Sequence, residues 1–259
     1  MSIAIAEQEP RPHDRSGGGH TVDLEACAKR VRVEFGGEII ADSTDVVLVR
    51  ETGHVAVYYF PVDDVRMDRL TRTAHGTDCP FKGTASYWSV TAGGRTAENA
   101  VWGYEAPLAE VGGLKDHVAF YWDLMDHWYE EDEEVFVHAR DPHVRVDVVA
   151  SARRVTVTLG GEVVADSRRA LFLFETGLPV RYYLPKDDVR MALLTATDTR
   201  TACPYKGEAV YWSAEVGGTG YDDIVWSYPD PLPEVGRIKD YVAFYNERVD
   251  GIAVGDGSD

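Results

Sequence analysis

The chain has 259 residues, 44% of them hydrophobic, and carries 26 Lys and Arg against 44 Asp and Glu, a formal net charge of -18. That length and apolar content suffice for two domains of about 100–150 residues, each with its own core. The carboxylate surplus repels phosphate backbones and anionic bilayers, so nucleic acid and membrane surfaces are excluded as partners. No basic run is long enough to make a local exception.

In chain order, residues 1–19 are polar, with Pro and a Gly run, and are expected to form a disordered tail. They lack the apolar core of a signal peptide, and no later stretch reaches the ~20 apolar residues of a membrane span. Arg30 to Phe35 alternates apolar and polar residues, Gly36-Gly37 turns, and Glu38 to Ala41 follows, which predicts a hairpin. Val46–Arg50 and Val55–Phe60 are two further strands, with Glu51-Thr52-Gly53 as the turn between them. Pro61 stops the strand, and Asp63-Asp64 can cap a helical turn. Lys82–Thr91 reads as a long strand, Gly93-Gly94 as a turn, and Ala100–Tyr104 as the hairpin partner. Leu108–Asp116 is a loop or short helix before the apolar Val118–Trp122.

The pattern then repeats. Arg30-Val31 recurs as Arg154-Val155, an offset of 124 (154 − 30), and the offset holds without a gap to Tyr121 and Tyr245. Asp63-Asp64-Val65-Arg66-Met67 recurs as Asp187-Asp188-Val189-Arg190-Met191, and Tyr87-Trp88-Ser89 as Tyr211-Trp212-Ser213. The period is too long for a solenoid unit, so the chain is a tandem pair of domains. The expected divisions are a first repeat over 20–128, an acidic linker over 129–136, a second repeat over 137–251, and a disordered tail over 252–259. The segment after the acidic run, VFVHARDPHVRVDVVAS, alternates like a strand, and the first copy has a short counterpart at Thr21-Val22-Asp23. Short strands with Gly and Pro punctuation predict an all-β fold with minor α content, each copy a small twisted sheet or barrel-like domain.

The segments LFLFETGLPVRYYLPKDDVRM, CPYKGEAVYWS and VWSYPDPLPEVGRIKDYVAFYNERVD resemble the domain of unknown function family 427, over nearly everything from Val22 to Asp250. The resemblance implies a soluble bacterial protein with a small β fold related to the Mss4-like, or β-tent, group. Several proteins of that group hold zinc between two cysteine pairs. Here Cys27, Cys79 and Cys203 form no CxxC pair, so neither a metal nor any other cofactor is carried over. The family's nucleotidyltransferase-like label has no support in these residues, which lack a Gly-Ser motif with spaced aspartates. The sparse, odd cysteine count fits a reducing, cytoplasmic setting.

Each candidate for chemistry also has a structural reading. Glu51 and Glu175 sit in Glu-Thr-Gly turns between apolar strands, where a carboxylate can act as base or ligand anchor, or merely bind local backbone. Lys82 and Lys206 follow Cys-Pro-Phe or Cys-Pro-Tyr; each can bind an anionic group, pair with the glutamate, or face solvent. Tyr59, Trp88 and Trp102 recur as Tyr183, Trp212 and Trp226 and can wall a pocket or pack a core. Cys79 and Cys203 read as buried thiols. The second copy from Val144 onward has no histidine to activate one, so a shared Cys–His mechanism is excluded unless His143 folds onto the second copy. Asp63-Asp64 and Asp187-Asp188 read as helix caps and not as a cation cage. Arg181 replaces Val57, which marks the second copy as the one expected to hold a ligand.

Three functions remain open on these residues. The first is a small-molecule-binding domain with an aromatic-walled pocket carrying Glu and Lys or Arg. The second is an enzyme on a small, anionic substrate, with Glu51 or Glu175 as general base and Lys82 or Lys206 as electrostatic stabiliser. The third is an interaction module without a pocket. The sequence does not fix an oligomeric state.

Overall fold

The computed structural model describes residues 19–255. The chain divides into two compact units, with the break between Asp141 and Pro142. No helix among the described residues is long and apolar enough to cross a membrane.

In the first unit, β1 (Val22–Cys27), β2 (Val31–Phe35), β3 (Glu38–Ser43), β4 (Val46–Glu51) and β5 (Val57–Pro61) precede the long strands β6 (Leu70–Cys79), β7 (Gly83–Ala92) and β8 (Arg95–Gly103). The short β9 (His117–Phe120), β10 (His127–Glu130) and β11 (Glu133–Glu134) complete it. Two antiparallel sheets result, one in the order β1-β4-β5-β9-β8-β7-β6 and one in the order β11-β10-β2-β3. The second unit repeats this with β12 (Val146–Ala150), β13 (Val155–Leu159), β14 (Glu162–Ser167), β15 (Leu171–Glu175), β16 (Arg181–Pro185), β17 (Leu194–Cys203), β18 (Gly207–Val216), β19 (Thr219–Ser227), β20 (Tyr241–Phe244) and β21 (Gly251–Val254). Its seven-stranded sheet has the equivalent order, beside a three-stranded sheet β14-β13-β21.

Successive strand residues face opposite sides, so the long sheet has two apolar faces. On one face of the first unit, Tyr58, Phe60, Trp88 and Phe120 pack with Val33, Phe35 and Ile40 of the small sheet. On the other, Tyr59, Tyr87 and Ala119 pack with Val111 and Leu114 of the 3-10 segment Ala109–Leu114. Bulges fall at matching places, between Trp88 and Val90 in β7 and between Trp212 and Ala214 in β18. They bend the sheet into a half-barrel.

Several local expectations change. The acidic run is no linker: Tyr129 and Glu130 pair with β2 and turn back onto Glu133-Glu134. Glu130 is buried because the Tyr58 hydroxyl donates to it at 2.8 Å and the Lys29 ammonium at 2.5 Å. Residues 252–254, expected in a tail, continue β21 and pair with β13 as β10 pairs with β2. Residues 1–18 and 256–259, the rest of the two expected tails, lie outside the described residues. The counterpart of β12 is the full strand β1, and of the segment before the second repeat only Val146–Ala150 is strand. Asp63 caps nothing: a 3-10 turn over Val62–Asp64 follows Pro61 without a side-chain cap. Asp64 instead accepts from the Ser43 hydroxyl at 2.6 Å, and Asp188 from Ser167 at the same distance. Finally, Leu70–Cys79, for which the sequence shows no strand pattern, is the edge strand β6.

Candidate functional site

Two turns bring the glutamate and lysine together. Glu51 ends β4, where it pairs across to Val22 of β1. Lys82 sits just before β7, in the turn made by Cys79-Pro80-Phe81-Lys82, with Gly83 at a φ of 99° that a side chain would resist. The Lys82 ammonium donates to Glu51 inside the fold, with side chains 9% and 12% exposed. His20 lies against the other Glu51 oxygen at 3.0 Å and stacks on Phe81. Burial works to raise the Glu51 carboxyl, but the bond and charge of Lys82, with His20, outweigh it and hold it below its ordinary value. The second copy builds the same pair: Lys206 donates to Glu175 at 2.5 Å.

Beside the pair, Trp102 Nε1 donates to the Tyr59 hydroxyl at 2.9 Å, and the two rings meet edge to face. Tyr121 lies over Trp102 with ring centroids 4.6 Å apart. Trp226, Tyr183 and Tyr245 reproduce this, with a 3.1 Å bond and a 4.5 Å centroid separation. Burial pushes the Tyr59, Tyr104 and Tyr183 hydroxyls above their ordinary value, and pushes Tyr121 up to about 12. These phenols therefore stay neutral and keep their protons at neutral pH.

In the first copy, these groups border a cavity of about 420 Å³. Glu51, Lys82, Tyr59 and Trp102 line it, with Tyr104 and Tyr121. His54, Val57, Trp122, Asp123, Trp128 and His138 line it as well. Trp122 and Trp128 stack at 4.1 Å. Trp88, also a candidate from sequence, belongs to the opposite face with the small sheet and lies under the Arg72 guanidinium. Trp212 is placed likewise, with Lys186 over its ring.

Arg181 occupies the Val57 position of β16, but it is engaged within its own domain. Its guanidinium lies 5.7 Å from the Trp226 ring centroid and 6.0 Å from that of Tyr245, and it binds Glu247 at 2.8 Å. Burial works to raise the Glu247 carboxyl, and the bond from Arg181 overrides it, leaving it below its ordinary value. The sequence reading did not single out Tyr121, Asp123, Tyr245 or Glu247 as site residues. The repeat carried the signal, because an aromatic and an acid recur there at the same offset.

Among the described residues, no group of three or more His, Cys, Asp or Glu is placed to hold a metal ion. The three cysteines are free thiols. A family described as Domain of unknown function (DUF427) matches the chain twice, over residues 23–131 and 147–255. The chain belongs to this family. No curated protein matches it. Each DUF427 copy thus falls within one of the two units, and β10 and β21, which run past the expected repeat ends at 128 and 251, fall within the matched ranges.

Proposed function

We propose that this tandem DUF427 protein binds a small molecule in the cavity of its first copy. The observation that carries the reading is the cavity itself: about 420 Å³, walled by tyrosines and tryptophans, with a few polar groups on one side. Its size and composition match the concave, mostly apolar sites that small ligands use. The reading shifts the ligand from the second copy to the first, where Val57 leaves room.

Binding is favoured over general-base catalysis by the state of the glutamate. A base works best with its pKa near the working pH. Glu51 lies on the wrong side, held ionised and already bonded to Lys82. The same pairing neutralises Lys82, which weakens the case for an anionic substrate.

The test is a thermal-shift screen of small aromatic and heteroaromatic compounds against the full chain, repeated on Tyr121→Ala. Tyr121 is 40% exposed, so its truncation spares the fold. Ligands of the cavity lose their stabilising effect in that variant. Hits that survive both Tyr121→Ala and Trp102→Phe place the site elsewhere, and a screen without hits removes the reading.

A further inference from the structure

The two copies hold the same shell around different contents. In the second, a guanidinium sits over Trp226 and Tyr245 and is held by Glu247. In the first, Trp102, Tyr121 and Asp123 occupy the matching positions, and the ring pair has nearly the same geometry, 4.6 Å at 41° against 4.5 Å at 46°. Val57 replaces the arginine and lines the cavity instead. Asp123 makes no ion pair among the described residues. We infer that Arg181 is a built-in stand-in for the ligand, and that the first copy takes a free organic cation of the guanidinium, amidinium or ammonium class, stacked on Trp102 and Tyr121 and paired with Asp123. This rests on the binding reading above and names its ligand class.

The charge balance agrees. Among the carboxylate, lysine and arginine side chains that line it, Glu51 and Lys82 cancel each other and Asp123 is left as a single negative charge. Aromatic faces attract cations through their quadrupole, most strongly where water is excluded. An anion would meet Asp123 and the same ring faces, and both repel it.

Three probes of one shape separate charge from fit: benzamidinium, neutral benzamide and benzoate, each titrated calorimetrically into the full chain. Benzamidinium is expected at one site per chain and about tenfold tighter than benzamide, with benzoate weakest. Val57→Arg supplies the tethered cation and abolishes binding. Arg181→Val empties the second shell and raises the stoichiometry towards two. Asp123→Asn brings benzamidinium down to the affinity of benzamide.

If benzamide or benzoate binds as well as benzamidinium, the cationic class is wrong while the cavity reading survives. If none of the three binds although Tyr121-dependent hits emerge from the screen, the class is again wrong. A Val57→Arg protein that melts normally and still binds benzamidinium overturns the stand-in argument. Should that variant not fold, the exposed Asp123→Asn decides: an unchanged preference for benzamidinium refutes the proposal.

Discussion

The buried pair in the second copy offers the sharpest test of how these domains are held together. Lys206 and Glu175 meet at 2.5 Å with side chains only 11% and 3% exposed. Each ion has given up most of its hydration, and its partner offsets much of that loss. Lys206→Met removes the ammonium and keeps the apolar stem, so the Glu175 carboxylate loses the 2.5 Å charge-assisted bond that helps compensate its burial. Breaking a buried pair from one side costs about 3 kcal/mol or more. For a domain of this size that corresponds to a fall in Tm of roughly 10 °C. The double variant Glu175→Gln with Lys206→Met has no charge left to compensate and is expected to recover more than half of the loss. Scanning calorimetry on the full chain measures all three proteins. A single-variant cost below about 1 kcal/mol would mean that water reaches the pair and that the burial argument fails. So would a double variant no better than the single.

Other consequences follow from the same geometry. Gly36→Ala forces a Cβ into the Ala92 carbonyl at a positive φ, whereas Gly37→Ala meets open space. The first is expected to cost several kcal/mol and the second about 1 kcal/mol, read from urea midpoints. Tyr58→Phe removes the hydroxyl that donates to buried Glu130 and should cost about 1–3 kcal/mol; a neutral result would show that Glu130 is satisfied without it. The Glu51 carboxyl is lowered in the fold, so its contribution is present above the ordinary carboxylate range, near pH 4.3, and is lost as pH falls below it. Lys82→Met should therefore flatten the acid limb of the stability profile. His127 is raised, chiefly by its bond to Glu134 and against the effect of burial. That contribution is complete below about pH 6.5 and fades as pH rises through the folded value. Glu134→Gln should remove this slope, and a profile identical to the parent would refute it. The pair is exposed, so the effect stays below about 1 kcal/mol.

The repeat made much of the fold readable. Identical residues at one offset report identical environments, and the Gly-Gly turn, β4, β5 and β7 fall where alternation and turn chemistry place them, within one or two residues, while β8 begins at Arg95, five residues (100 − 95) before the expected Ala100. Where the reading failed, side chains gave no periodic signal. β6, LTRTAHGTDC, is an edge strand with one partner and mostly exposed residues, so no alternation betrays it. The acidic run looked solvated because a sequence shows Glu130 but not the Lys29 and Tyr58 that meet it, about 100 and 72 residues earlier in the chain. At the site, Glu51, Lys82, Tyr59 and Trp102 were legible as candidates, and they do border one cavity. Trp88 and Trp212 were not separable from them, since which member of an aromatic pair faces which side depends on register. Arg181 drew attention as a difference between the copies, but Glu247, which holds it, comes from a segment 66 residues away.

Comparing the copies also divides the site's residues by role. The Glu–Lys pair and the Trp–Tyr hydrogen bond occur in both, with nearly the same geometry. Yet an arginine lies over the rings in one copy, while a cavity lies beside them in the other. Groups that persist whichever content the shell holds serve the fold first: they tie β4 to the turn before β7, and β5 to β8. The residues that differ bound the open volume. His54, Val57, Trp122 and Trp128 line the cavity, where the second copy has Leu178, Arg181, Asn246 and Ile252. The divergent set therefore decides whether the shell is open to a ligand, while the shared rings serve the fold in both copies and, in the proposed reading, also seat the ligand in the first. Substitutions at His54 and Val57 should change affinity with little change in Tm, whereas Trp128 is buried in the core and its truncation lowers Tm as well; substitutions in the shared set should lower Tm whichever copy carries them.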